Sequence, residues 1–310
     1  MADLAIAVLG AGVHGSRYAE HLLRGDVPGA RLAGVCRRSP ADGPRWAARG
    51  VRFETSFEAL VDDPSVDAVV VASPPEAHVP QAEAVLSRGK PLLLEKPAAP
   101  DVAACERIRR AARSPVLVGH SHRYNPVAVA FREALSGIGT VRSLTVSLRH
   151  ERMAQEWQHR LPGGGALLSV GTHAADLARR LTGGEIALES CLRASSPGEA
   201  EGSAVALARL STGAALVMDV SITTPARRGA LEAHGDGGAI EGDLVLHELF
   251  RRQGRTRVPL PLPPPAPGLV PLLRDFVRAA RGGDPGIAAT LDDGIAAVAF
   301  AAACRAYSPR

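Results

Sequence analysis

Over the first 120 residues, short continuous hydrophobic runs alternate with longer segments whose apolar residues recur at helical intervals. The runs are Leu4–Leu9 (LAIAVL), Arg31–Cys36 (RLAGVC), Ala68–Ala72 (AVVVA), Pro91–Leu94 (PLLL) and Pro115–Gly119 (PVLVG). Short apolar runs without polar alternation characterise strands buried on both faces of a parallel sheet. Between them, Ser16–Arg24, Phe57–Leu60, His78–Arg88 and Val102–Ala112 read as helices. Repeated strand–helix units predict a doubly wound α/β sheet that binds ligands at the carboxyl ends of its strands. Beyond residue 121 the pattern changes. Val141–Leu148, Ser203–Leu210, Ala214–Ile222 and Gly229–His234 alternate as half-exposed strands do. Pro259–Pro267 reads as a proline-rich surface loop, and Leu269–Arg281 and Asp292–Ala306 as closing amphipathic helices. The expectation is two domains, residues 1–121 and 122–310.

Composition narrows the class. With 46% hydrophobic and 22% charged residues the chain is globular, and no apolar run approaches the ~20 residues of a membrane span. The opening MADLAIAVLGAGVHG has no basic segment ahead of its apolar run, so no signal peptide and a cytoplasmic location are expected. Cys36, Cys105, Cys191 and Cys304 form no C-x-x-C pair, which argues against a disulfide framework or a zinc site. The net charge of +4 is spread among acidic residues with no basic stripe, so nucleic acid is not an expected partner. Of 36 basic residues only Lys90 and Lys96 are lysine. A lysine surviving in so arginine-rich a chain is notable where its amine could shift its pKa and move a proton.

Chemistry enters at the strand ends. Leu4–Leu9 runs into Gly10-Ala11-Gly12-Val13-His14-Gly15, a G-x-G-x-x-G motif followed by a helix. The first glycine permits the tight turn, the second lets backbone approach a pyrophosphate, and the third allows close helix–strand packing. With a strand before it and a helix after it, this is the fingerprint of a Rossmann dinucleotide-binding domain. The tip of the next strand reads Arg37-Arg38-Ser39, with no carboxylate for ribose hydroxyls. Two guanidiniums and a hydroxyl suit a 2′-phosphate, which predicts NADP(H) in preference to NAD(H). Ser73, Pro74, Glu76, His78 and Glu95 are expected to border the cofactor, with Lys96 aimed at the nicotinamide. Further on, Ser169–Leu181 reads as a helix that places 169, 173 and 176 or 177 on one face.

GAGVHG, SPPEAH, LLLEKP, GHSHRYNP, GGGALLSVGTHAADLARRL and LEAHGDGGAIEGD occur in this order. In these motifs the chain resembles the Gfo/Idh/MocA oxidoreductases along essentially its whole length. The resemblance implies a second α/β domain with an open, mostly antiparallel sheet, used for dimer or tetramer contacts. It also implies that His173 exchanges the proton at the substrate oxygen and that Lys96 hydrogen-bonds that oxygen. Asp176 would orient the histidine or hold a substrate hydroxyl. One departure stands out: Ser169 occupies a place where many relatives carry aspartate, and serine is no general base near neutral pH.

His120, His122, Arg123, Tyr124 and Asn125 are expected to line the substrate cleft, with Trp157 and His159 closing over a small-molecule substrate. His120 and His122 lack a third ligand at suitable spacing, so no metal is expected. The reading is NADP(H)-dependent hydride transfer to or from a carbonyl or alcohol carbon of a sugar or cyclitol. Reduction of an imine or carbonyl in a specialised metabolite is a second reading. A dinucleotide-binding regulator without turnover is a third, against which Lys96 and His173 together argue.

Overall fold

Every apolar run of the first 120 residues becomes a strand of one sheet in the computed structural model, which describes residues 2–152, 156–196, 198–266 and 268–308, without the side chains of Glu156 and Trp157. The strands are β1 (Leu4–Leu9), β2 (Ala30–Cys36), β3 (Phe53–Glu54), β4 (Ala68–Val71), β5 (Leu92–Leu94) and β6 (Val116–Val118). They pair in parallel, in the order β6-β5-β4-β1-β2-β3. All of β4 and β5 is buried, as covering both faces of the sheet with helices requires. The order reverses between β1 and β4, the topological switch point at which such sheets bind ligands.

The chain divides into two compact units, residues 1–121 with 267–295, and residues 122–266 with 296–310. The second excursion into the first unit corrects the expectation of a single break at 121. Its anchor is the two-residue strand Ala289–Thr290, which pairs antiparallel with Leu117–Val118 at the edge of the first sheet. The helix Val270–Ala280 buries Leu272, Leu273 and Phe276 in the same unit.

The second unit is built on an eight-stranded sheet. Its strands are β7 (Val141–Arg149), β8 (Ile186–Ser195), β9 (Glu201–Leu210), β10 (Ala215–Ser221), β11 (Arg228–Gly235), β12 (Gly238–Asp243), β13 (Glu248–Gln253) and β14 (Thr256–Pro259). They run in the order β14-β13-β12-β11-β7-β10-β9-β8, all antiparallel except the β7–β10 pair. Period-two patterning sorts the two faces. In β9, Ala204, Ala206, Ala208 and Leu210 are buried, while Val205 and Leu207 are exposed. The helices Pro126–Ala134 and Thr172–Thr182 pack on this sheet. The first of them opens with Asn125 accepting from the Val127 N–H and Pro126 at its first position, a cap legible in the sequence but not read there. Residues 260–266 have no regular structure and are largely exposed; Pro267 lies outside the described residues.

Candidate active site

The glycine turn joins β1 to the helix Val13–Leu23 at the switch point. Gly10 has φ +82°, and a side chain there would meet the Ser73 backbone nitrogen at 2.4 Å. A side chain at Gly15 would meet the Gly10 carbonyl oxygen at 2.2 Å. Gly12 differs: a Cβ there finds only the Gly10 oxygen, at 4.0 Å. Gly12 therefore borders open space at the start of a helix whose cap carries no side-chain bond, and next to it Val13 is 81% exposed. Unsatisfied N–H groups and the helix dipole favour an anion there. On this observation the residues fit a dinucleotide: two glycines hold the turn together, and the third leaves room for a ligand.

At the tip of β2, Arg38 and Ser39 are exposed, while Arg37 forms an ion pair with Asp42. Arg45, which the sequence reading did not name, donates to the Ser16 hydroxyl at 2.7 Å. Ser73 and Pro74 follow β4 and face the turn through the Gly10–Ser73 approach. His78, expected to touch the cofactor, is instead fully buried. Its ring nitrogens lie 2.8 Å from the Ser73 carbonyl and 3.0 Å from that of Pro97. Burial holds its pKa below the usual histidine range. Its part is to join the loops after β4 and β5 from behind.

Glu95 and Lys96 follow β5. The Glu95 carboxylate is buried and accepts from His14 Nε2 at 2.8 Å, Tyr18 Oη at 2.5 Å and the Lys96 N–H at 3.0 Å. Burial alone would raise its pKa, but the charge and hydrogen bonds of these partners hold it down at about 2. The half-buried Lys96 amine is pushed below the ordinary lysine range by burial, against a restoring pull from Glu95. Tyr18 lies one turn after His14, so a helical spacing of four was the available signal for this cluster.

In the second unit, the segment carrying the expected acid–base residues is helical, but not in one register. Leu167–Gly171 forms a π-turn that passes into the helix Thr172–Thr182. Such turns cluster at functional sites, and this one interrupts the 169–173 spacing assumed from an unbroken α-helix. Ser169 and His173 are both buried. The ring of His122 stacks on that of His173, with centroids 4.2 Å apart and planes within 12°, and His150 lies 6.4 Å from His122.

Asp176 has a partner that the sequence reading did not assign to it. Arg123 donates to it through Nε, at 3.1 and 2.8 Å, and through Nη2, at 2.6 Å, with both side chains buried. Tyr124 closes the short turn Ser121–Tyr124 and is half-buried, while His120, at the end of the first unit's opening segment, is buried. Trp157 lies in the turn Glu156–His159, its side chain outside the described residues. Among the described residues, no three His, Cys, Asp or Glu side chains gather as metal ligands, and no helix is long and apolar enough to cross a membrane.

A parallel sheet with a glycine turn at its switch point, a strand-end lysine on a buried carboxylate, and a second unit with an open sheet define the class: two-unit dinucleotide-binding oxidoreductases. Residues 4–120 match the family described as "Oxidoreductase family, NAD-binding Rossmann fold", and residues 133–241 match the "GFO/IDH/MocA C-terminal domain". The chain belongs to the Gfo/Idh/MocA oxidoreductase family. It is 35% identical over 187 residues to inositol 2-dehydrogenase 2 of Saccharopolyspora erythraea, covering 58% of this chain and 54% of that protein. To inositol 2-dehydrogenase 1 of the same organism it is 32% identical over 235 residues, covering 72% and 68%. The first match thus spans little more than half of that relative's length. The aldose–aldose oxidoreductase of Caulobacter crescentus shares the fold, with a TM-score of 0.88 at 21% identity over 98% of this chain and 96% of that one.

Proposed function

We propose that the chain is an NADP(H)-dependent oxidoreductase acting on a carbonyl or alcohol carbon of a sugar or cyclitol. The observation that carries the reading is the open Gly12 turn beside a lysine set on a buried, fully partnered glutamate at the same sheet edge. The similarity to the Saccharopolyspora inositol 2-dehydrogenases supports the cyclitol class. When bound, the dinucleotide supplies hydride exchange with the substrate carbon.

The chain's own residues supply the rest. Gly12, Val13 and the helix start bind phosphate. Lys96, its amine made more acidic by burial, donates a hydrogen bond to the reacting oxygen and lowers the barrier to charge developing there. In the second unit, His173 is the acid–base residue, a role worth about 10²–10⁴-fold in rate. Arg38 and Ser39 meet the 2′-phosphate, and Arg37 does so to the extent that Asp42 releases it. In the second unit Ser169, Asp176 and Tyr124 serve the substrate, with Asp176 acting through Arg123. The open sheet face, where Leu192, Val205 and Leu207 are exposed side by side on β8 and β9, is the self-association surface. Sedimentation showing a monomer at every concentration would discard that assignment.

Parallel titrations with NADPH and NADH, followed by nicotinamide fluorescence, test the cofactor. NADPH should bind at least tenfold more tightly, and Arg38→Ala should remove about tenfold of that through the loss of one charge-assisted bond. Equal affinities would discard the 2′-phosphate assignment. A sugar and cyclitol panel then tests the chemistry: His173→Ala turning over at the wild-type rate would end the acid–base role.

A further inference from the structure

The positive charge expected at the tip of β2 is distributed unevenly. Arg37 pairs with Asp42, so its guanidinium is already neutralised, while Arg38 is exposed. Further along, the short helix Gly43–Ala47 carries Arg45 and Trp46. The Trp46 ring is fully buried, and the exposed Arg45 guanidinium lies on it, 4.9 Å from its centroid. Arg45 Nη2 donates to the Ser16 hydroxyl at 2.7 Å, and that hydroxyl donates in turn to the Ala11 carbonyl at 3.1 Å. Ala11 is the middle residue of Gly10-Ala11-Gly12. The Gly10 and Ala11 N–H groups both donate to the Cys36 carbonyl, at 2.9 and 3.0 Å. Arg45 is thereby anchored beside the place where the glycine turn meets the end of β2.

Docking this segment onto the helix Val13–Leu23 does not require that anchor. Arg49, just beyond the short helix, already joins the two through both carboxylate oxygens of Glu20. Arg45 instead bonds a neutral hydroxyl, and among the described residues it forms no ion pair. What remains is a positive charge without a counter-ion, steadied by an aromatic ring and a hydroxyl, so little side-chain freedom is lost when an anion arrives. In a Rossmann domain, an arginine near this strand end accommodates the phosphate on the adenosine ribose. We infer that Arg45 is a cofactor-specificity residue: together with Arg38 it grips the 2′-phosphate, while Asp42 holds Arg37 back. A guanidinium suits the task because its planar fork gives parallel bonds to phosphate oxygens. Removing such a charge-assisted contact should weaken binding of the phosphate about tenfold or more.

This inference rests on the NADP(H) reading above and is tested by binding alone, in the full-length chain. Calorimetry gives dissociation constants for NADPH and NADH, and for adenosine 2′,5′-bisphosphate and 5′-AMP. The members of each pair differ only in the 2′-phosphate. Arg45→Ala should weaken NADPH and the bisphosphate about tenfold and leave NADH and 5′-AMP within about twofold. Arg45→Lys keeps the charge without the planar fork and should recover part of the loss. Arg49→Ala breaks the Glu20 tie and should leave the ratio of NADPH to NADH affinity as it is. An Arg45→Ala protein that keeps the wild-type ratio, or that loses every ligand by the same factor, overturns the role of Arg45. So does an Arg49→Ala protein whose ratio falls just as far, since Arg45 would then act only by docking its helix. In each of these cases a wild-type preference for NADPH leaves the cofactor reading standing. Equal affinities of the wild type for NADPH and NADH overturn both.

Discussion

Replacing Arg123 with alanine removes the Nε and Nη2 hydrogen bonds to Asp176, a carboxylate whose side chain is 1% exposed. Breaking a buried ion pair from one side costs about 3–5 kcal/mol, because the remaining charge keeps its desolvation and loses the opposite charge that offset it. For a unit of this size each kcal/mol lowers the melting temperature by about 2–4 °C, so the expected drop is roughly 6–20 °C. Thermal and urea unfolding followed by circular dichroism measure it. The double variant Arg123→Met with Asp176→Leu removes both charges, so it should cost well under the sum of the two single changes. Catalysis should suffer as well. Arg123 follows His122, and Asp176 lies on the helix of His173, so the pair clamps one stacked imidazole against the other. A single-variant cost below about 1 kcal/mol, or additive single and double effects, would refute the account of a desolvated, mutually dependent pair.

Two further outcomes follow from the first unit. Gly12→Ala should leave melting nearly unchanged and weaken NADPH binding tenfold or more, since its Cβ enters only the space left for the ligand. Gly10→Ala, by contrast, should lower stability by about 1–3 kcal/mol, through a 2.4 Å clash and a positive φ; equal melting temperatures for the two variants would contradict this. Glu95, with a folded pKa of about 2 against an ordinary 4.5, contributes up to about 3 kcal/mol. Because the folded value is the lower one, that contribution is complete above pH 4.5 and drains away as pH falls toward 2. Glu95→Gln should therefore be less stable than wild type at pH 7 and show a flatter acid limb in urea midpoints between pH 4.5 and 2.

Strands β1, β2, β4, β5 and β6 of the first sheet and the glycine turn were legible because they depend on local pattern: an unbroken apolar run, then a turn only glycines can make; β3, two residues without such a run, went unread. The return of residues 267–295 to the first unit was not, since a two-residue strand, Ala289–Thr290, carries no periodicity to read. Nor was the π-turn at Leu167–Gly171, because apolar spacing over five residues does not distinguish it from an α-turn. Several second-unit strands, β8 and β12 to β14 among them, went unnamed because they are short or mostly exposed and alternate weakly.

The candidate site divides the same way. Lys96 was singled out by residue type and position, and His173 by the resemblance its motif carries, but what holds them comes from far along the chain. Glu95 is fastened by residues 77 and 81 positions earlier, and Asp176 by one 53 positions earlier. Contacts of that separation leave no trace in one sequence. Such partners decide whether a lysine or histidine at the right address is also at the right protonation and angle. Burial without Tyr18 and His14 would raise the Glu95 pKa and so weaken the negative charge that steadies Lys96. A relative that kept Lys96 but lost both partners would therefore be expected to bind the dinucleotide at its glycine turn and turn it over poorly.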